Sequence, residues 1–328
     1  MHTREFLRLV GLLAATASLG VAAPSARAQT WPDKPIRVIY PYQAGGMGDP
    51  LFRLLAPAME QKLGQKFVFE TRPGAGGNIG TEQVVRSAPD GYTVLFAATN
   101  NFSINQFLYP SLGFDPLKAL APVSVLAHVP SVFYTSPTVP AKNLQEFIAW
   151  AKQHPGKVNY GSPGTGTTPH LNVELIAQLA ELRLVHVPYK GLPAAMQATI
   201  ADEVQLYLAG LGPGRGHLAA GKLRAIAVGS AKRLPGIPEV PTLDESGFKG
   251  MLASNWFGMA VPAGTAPAII DRLAEAVQSA LAQPVGQKRI VELGLEPGGN
   301  SPQAFARQIV EEANLWEGVI RKARIKLE

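Results

Sequence analysis

Apolar positions along this chain switch repeatedly between short continuous runs and a helical period. Residues 36–41, IRVIYP, read as a strand. From Asp49 to Leu63 the apolar residues Leu51, Phe52, Leu54, Leu55, Ala58, Met59 and Leu63 recur on one face, which predicts a helix. Asp49 can cap it, Pro50 suits its first position and Gly64 ends it. A second strand is predicted over 66–71, a helix over 81–88, and a third strand over 92–98 after the Pro89-Asp90-Gly91 turn. Strands separated by helices imply a parallel α/β sheet.

The middle of the chain changes character. Pro122 to Thr135 is one long β-prone run interrupted by Pro130. A second α/β set follows, with helices over 143–156 and 193–201, another opened by the 164–180 segment, and strands over 158–162, 184–189, 204–210 and 223–230. Asn255 to Thr265 is again extended, and two helices close the chain. The expected fold class is α/β, with two lobes joined by two crossing strands. Lobe 1 takes 29–127 plus 256–328, and lobe 2 takes 128–255. Ligands of such sheets bind at the carboxyl ends of strands, here the cleft between lobes.

Composition narrows the class. With 46% hydrophobic and 16% charged residues, the chain can bury a large core, and 328 residues suit about two domains. Residues 1–28 carry Arg4 and Arg8, an apolar stretch from Leu9 to Ala23 and the small-residue site Ala26-Arg27-Ala28, the pattern of a cleaved secretory signal peptide. Its loss removes Arg4, Arg8, Arg27 and Glu5, leaving 27 basic and 23 acidic residues, a net +4. That suits an anionic small ligand and equally suits ordinary solubility. No Lys/Arg run interleaves with aromatics, so nucleic acid is not an expected partner. The absence of cysteine excludes disulfides and thiolate metal sites. The periplasm is the expected compartment.

Five loops could carry chemistry. In lobe 1 they are Tyr42 to Asp49 (with Gln43, Ala44, Gly45 and Gly46), Arg72 to Gly80 (with Gly77), and Thr99-Asn100-Asn101. In lobe 2 they are Tyr160 to His170 and Pro188 to Pro193. A loop that opens a helix presents free N–H groups and the positive end of the dipole, and glycine lets that backbone approach an anion. Each loop alone could equally be a tight turn. Ser162, Gly164, Thr165, Gly166, Thr167 and Thr168 form the sharpest candidate. His170 either donates to a carboxylate or packs in the core. Tyr189 bonds a ligand or lines a wall, and Lys190 pairs with an anion or stays solvated.

Enzyme motifs mostly fail. GAGGNIG from Gly74 has its third glycine one place late for a dinucleotide loop, and GHLAAGK from Gly216 lacks the hydroxyl that would follow its lysine. The six histidines have no metal-ligand spacing. His170 near Ser162 is the one visible nucleophile–base candidate, so an exported α/β enzyme acting on a small anion is the competing reading. No cofactor or metal is expected.

Taken in order, WPDKPIRVIYPYQAGGMGD, ETRPGAGGNIG, APDGYTVLFA, YGSPGTGTTPHLNVEL, HVPYKG, AGKLRAIAV, PEVPTLDESG and VPAGTAP resemble the Bug (TctC-like) family, periplasmic receptors of tripartite tricarboxylate transporters. The resemblance runs from about Trp31 to the end. It implies a type II, Venus-flytrap binding protein without catalysis, monomeric, taking carboxylates for a membrane permease or a sensor. By that resemblance the Tyr42–Asp49 loop holds one carboxylate through backbone groups and waters, and the Ser162–His170 loop adds donors on closure. Two departures stand out. Tyr42 and Gln43 make the first loop more polar than usual. Ala209-Gly210 stands where many members place an Asp that faces an amino group, which turns the expectation from α-amino acids toward a dicarboxylate or an aromatic carboxylate.

Overall fold

The computed structural model describes residues 31–327, and the expected signal peptide at 1–28 lies outside the described residues. The strands in chain order are β1 (Ile36–Tyr40), β2 (Phe67–Thr71), β3 (Thr93–Ala98), β4 (Leu120–Pro130), β5 (Val132–Thr135), β6 (Val158–Ser162), β7 (Leu184–Pro188), β8 (Leu206–Ala209), β9 (Arg224–Val228), β10 (Ser254–Pro262) and β11 (Glu296–Pro297). The helices are α1 (Gly48–Leu63), α2 (Asn78–Val85), α3 (Asn105–Leu108), α4 (Pro116–Ala119), α5 (Leu144–Lys152), α6 (Thr168–Leu179), α7 (Leu192–Ile200), α8 (Leu211–Ala219), α9 (Pro267–Leu281), α10 (Pro284–Glu292) and α11 (Pro302–Ala323).

They build two sheets, ordered β11-β4-β10-β3-β1-β2 and β7-β6-β8-β5-β9. β1 pairs in parallel with β2 and β3, and β6 with β7 and β8. β10 runs antiparallel to β3 and β4, and β5 antiparallel to β8 and β9. The sheets are therefore mixed, not purely parallel, because the crossing strands enter each sheet against the direction of its parallel core. β3 is buried along its whole length, as a parallel strand covered on both faces must be. The first sheet packs Ile39, Leu95, Phe102, Trp256 and Phe305 into its core. The second packs Phe133, Phe147, Tyr160, Ile176 and Leu208.

The long β-prone run breaks at Ser131, between β4 in one sheet and β5 in the other. The Ser131 N–H donates to the Ala253 carbonyl at 2.9 Å, and its carbonyl accepts from Gly229 N–H at 2.7 Å. Ala253 N–H donates back to the Gly229 carbonyl at 2.9 Å. A Cβ on Gly229 would lie 2.0 Å from the Ala253 carbonyl oxygen, so only glycine lets these three segments lie side by side. On another side the sheets are bridged by apolar packing. Ile104 and Leu108, Leu171 and Leu175 of α6, and Trp316, Val319 and Ile320 of α11 form one buried cluster. α11 also receives a hydrogen bond from Gln178 Nε2 at its Val319 carbonyl, 3.2 Å away.

Several helices differ from the pattern: α3 and α4 are additions to it, and among the described residues three helices, not two, close the chain because Pro284 opens the separate α10. α1 starts at Gly48, because Met47 is already helical, and Asp49 is not its cap. The Asp49 carboxylate instead accepts Gly45 N–H at 3.1 Å and Arg53 Nε at 2.5 Å, bracing the loop from inside the first turn. Gly64 does end the helix, in the left-handed conformation. α8 was not foreseen, since Gly212, Pro213, Gly214 and Gly216 are poor helix formers. A Cβ on Gly214 would meet Tyr134 Oη at 2.4 Å, so its close packing on β5 requires glycine at that turn.

Candidate functional site

Residues from both sheets and from the strands between them enclose a cavity of about 470 Å³. The first sheet contributes Tyr40, Ala98 and Phe257, with Tyr42, Gly46, Met47, Gly76 and Asn100 on the segments that follow its strands. The second contributes Pro163, Thr165 to Pro169, Gly191, Leu192, Ala209 and Gly210. Val129, Ser131 and Asn255 line it from the crossing segments.

Four helices begin at this wall. Gly46 and Met47 lead into α1, Thr167 and Thr168 open α6, Gly191 and Leu192 open α7, and Gly210 precedes α8. First-turn N–H groups have no partner inside their own helix, and the dipole places positive potential there. Among the described residues, the cavity wall carries no Asp, Glu, Lys, Arg or His side chain. Its polar groups are the hydroxyls of Thr, Ser and Tyr, the Asn amides and backbone. An anion can be held here by neutral donors, with apolar walls of Met47, Leu108, Val129, Leu192 and Phe257 for its body.

The first-sheet wall is a hydrogen-bonded framework. Tyr42 Oη donates to Asn101 Oδ1 and accepts from Ala98 N–H at 3.1 Å. Asn101 Nδ2 donates to the Gly76 carbonyl at 3.2 Å. Asn105 Nδ2 donates to the same carbonyl at 3.1 Å and to Asn78 Oδ1 at 2.6 Å. Burial pushes the Tyr42 phenol far up and that of Tyr40 to about 12, so both remain neutral. A Cβ on Gly48 would lie 2.7 Å from the Tyr40 ring and 2.9 Å from Phe257, so the glycine-rich loop reaches the cavity by passing tightly over two rings.

The second-sheet loop is shaped by histidines. Gly166 N–H donates to His170 Nδ1 at 2.9 Å. The His170 and His186 rings stack at 3.7 Å with only 6° between planes. Desolvation by burial, with His186 beside it, lowers His170 to about 3, and burial lowers His186 to about 4, so both are neutral. His186 Nε2 pairs with Ser162 Oγ at 2.7 Å. Ser162 is fully buried, and its hydroxyl donates to the Gly164 carbonyl at 3.0 Å. Among the hydrogen bonds of the described residues, Ser162 pairs with His186, not with His170, so the nucleophile–base candidate read from the sequence does not form.

Of the expected site residues, the fold brings Tyr42, Gly46, Asn100, Thr165, Gly166, Thr167 and Gly210 to the cavity wall. The others do not line it. Asp49, His170, Ser162 and Gly164 brace loops. Gly77 adopts a φ of 90°, and a Cβ there would lie 2.7 Å from Asn101 Nδ2. Thr99 Oγ1 accepts Trp256 N–H at 3.1 Å and ties β10 to β3. Tyr189 Oη donates to Glu203 at 3.4 Å, away from the cavity wall. Gln43 and Ala44 are exposed on the loop, and Gly45 lines a neighbouring groove. Leu108, Tyr109, Val129, Asn255, Phe257 and Leu327 also line the cavity without a signal in the sequence, because each looks like ordinary core or surface until the two sheets are juxtaposed. No group of three or more His, Asp or Glu side chains placed to hold a metal occurs among the described residues.

Two mixed α/β lobes around a cleft lined by helix starts, with strands crossing between them, define a two-lobed solute-binding receptor. The chain belongs to the tripartite tricarboxylate transporter family receptors (TctC), whose family model it matches over residues 51–325. It is 34% identical over 329 residues to protein BugT of Bordetella pertussis, covering 100% of both chains. Among solved structures, an R. palustris protein with adipate shares 33% identity at a TM-score of 0.77, covering 90% of this chain and 100% of that one. MatC from Rhodopseudomonas palustris with bound malate shares 29% at 0.72, covering 88% and 99%. The family is one of receptors, not of enzymes.

Proposed function

We propose that this protein captures a small carboxylate in the inter-lobe cavity and presents it to a tripartite-type membrane permease or to a sensor. It would do so as a periplasmic monomer after loss of its leader. The observation that carries this reading is the convergence of four helix starts on a wall whose described residues include no Asp, Glu, Lys, Arg or His. Such a wall favours an anion by neutral donors and dipoles. The relatives solved with adipate and malate support a dicarboxylate. Ala209 and Gly210 leave no carboxylate at the cavity wall for an ammonium group, which disfavours α-amino acids. The apolar walls suit an aliphatic or aromatic body better than a densely hydroxylated one.

Thermal unfolding against mono-, di-, tri- and aromatic carboxylates and amino acids tests this. A ligand at about 100 times its Kd adds roughly 2.7 kcal/mol and raises the midpoint by several degrees. A rise confined to a few carboxylates is expected. A protein unfolded and refolded to remove copurified ligand that responds to none of them, or responds to amino acids alone, would sink the proposal.

A further inference from the structure

We propose that Leu327 is a specificity-determining residue, and that the segment after α11 forms an end wall of the cavity that limits the length of the bound carboxylate's body. The inference rests on the receptor reading above and deepens it.

α11 ends at Ala323, and Arg324 turns the chain in the left-handed conformation at φ 54° and ψ 37°. A non-glycine residue there costs about 1 kcal/mol or more, so packing beyond it must hold the turn. Ile325 N–H donates to the Ile320 carbonyl at 3.1 Å and closes the helix end. Ile325 and Leu327 then pack on the cluster that holds Leu108, Leu171 and Trp316, while Lys326 between them is exposed. That alternation is what an extended segment shows when one face lies on an apolar surface.

Leu327 reaches the cavity together with Leu108, Tyr109 and Pro169. The cavity also adjoins a groove of about 540 Å³ through Gly46, Met47 and Leu192, which line both. Leu327, Leu108, Tyr109 and Pro169 do not line that groove. A ligand whose carboxylate meets the helix starts at Gly46 and Gly191, and whose body stays in the cavity rather than entering that groove, extends toward the wall of Leu327, Leu108, Tyr109 and Pro169. Leu327 is the member of that wall carried on the short segment after α11, and its side chain can be shortened or lengthened without altering the starts of α1, α7 and α8.

The test is calorimetric titration of the full purified protein with two homologous series. One is succinate, adipate and azelate; the other is benzoate, phenylacetate and phenylpropionate. Leu327→Ala is expected to shift preference toward the longer members, by about 10-fold in the ratio of longest to shortest. Leu327→Trp should shift it the other way, and Leu327→Met should behave as the unaltered protein. Thermal unfolding without ligand checks that each variant folds. An unchanged rank order in folded Ala and Trp variants overturns the proposal, and so does an equal loss for every ligand. Failure of the unaltered protein to bind either series would overturn the receptor reading as well, which separates the two.

Discussion

Asn100 reaches across the cleft to Gly166. Its Nδ2 donates to the Gly166 carbonyl at 3.1 Å, and its Oδ1 accepts from the neighbouring Thr168 hydroxyl at 3.0 Å. The first residue opens the π-helical turn Asn100–Ile104 that follows β3 and the second belongs to the loop before α6, so one amide clasps both lobes at the cavity wall. Each neutral hydrogen bond is worth about 1 kcal/mol net. Asn100→Ala removes two of them from the closed arrangement and is expected to weaken ligand binding by about 10-fold or more, with a smaller change in the unfolding midpoint. Equal affinity in calorimetry would show that the clasp does not contribute to closure.

Gly166 itself admits no larger residue. Its φ is +76°, and a Cβ would lie 2.5 Å from Leu108 Cδ1. Gly166→Ala is expected to hold the lobes apart and lower affinity sharply. Leu108→Ala in that background should restore part of it, because the clash is between two side chains across the cleft. Direct neighbours couple by about 0.5–3 kcal/mol, so a double-mutant cycle can resolve the effect. Strict additivity of the two changes would refute the clash as the cause.

How much of this was readable beforehand depends on whether the signal is local. β1 with its following helix, and β6 with the GSPGTGTTPH loop, were legible because period, glycine and proline sit next to one another in sequence. The ordered motifs made the family legible too. Asn255, Val129 and Phe257 were not, since strand residues reveal which lies at a cleft only after the crossing strands are placed. His170 illustrates the limit. A histidine in the first turn of a helix looked able to meet a carboxylate, but its ring lies against His186, a partner sixteen residues away in a separate strand. Asp49 is similar, because capping propensity does not foresee that Met47 would already be helical.

The histidine stack predicts an acid-sensitive site. Both rings titrate below the ordinary value of 6.5, to about 3 for His170 and about 4 for His186, chiefly because burial penalises the charged form. The groups facing them are Tyr160, whose ring lies 5.0 Å from His186, and Glu174, which accepts the Tyr160 hydroxyl. The folded state binds fewer protons than the unfolded one, so this stability is full above pH 6.5. It erodes as pH falls below 6.5 and is lost below the folded values of about 4 and 3. Charging His170 in the folded state would also repel His186 and release Gly166 N–H, so ligand affinity should hold through the pH range where stability erodes and fall only as pH approaches the folded values of about 4 and 3. His170→Asn with His186→Gln keeps acceptors near Gly166 and Ser162 and removes the titration. Its unfolding midpoint should decline less than that of the unaltered protein between pH 7 and pH 4, as followed by circular dichroism. Parallel declines would exclude the stack as the acid-sensitive element.

Glu312 on α11 carries the opposite sign. It is half-buried, and both carboxylate oxygens accept from Trp256 Nε1, at 2.9 and 3.0 Å, while Gln308 donates to one of them at 2.9 Å. Desolvation outweighs these bonds and raises its titration above the ordinary value of 4.5. The folded state then binds more protons than the unfolded one, so stability is greatest below about pH 4.5 and declines as pH rises through the folded value. Glu312→Gln keeps an acceptor for the indole of Trp256, which lies on crossing strand β10, and removes the charge. At pH 7 this variant should unfold at a higher temperature than the unaltered protein, with the difference shrinking toward pH 4. A lower midpoint at every pH would mean that the charged bond to Trp256 is worth more than its desolvation, because the loss would then not follow protonation.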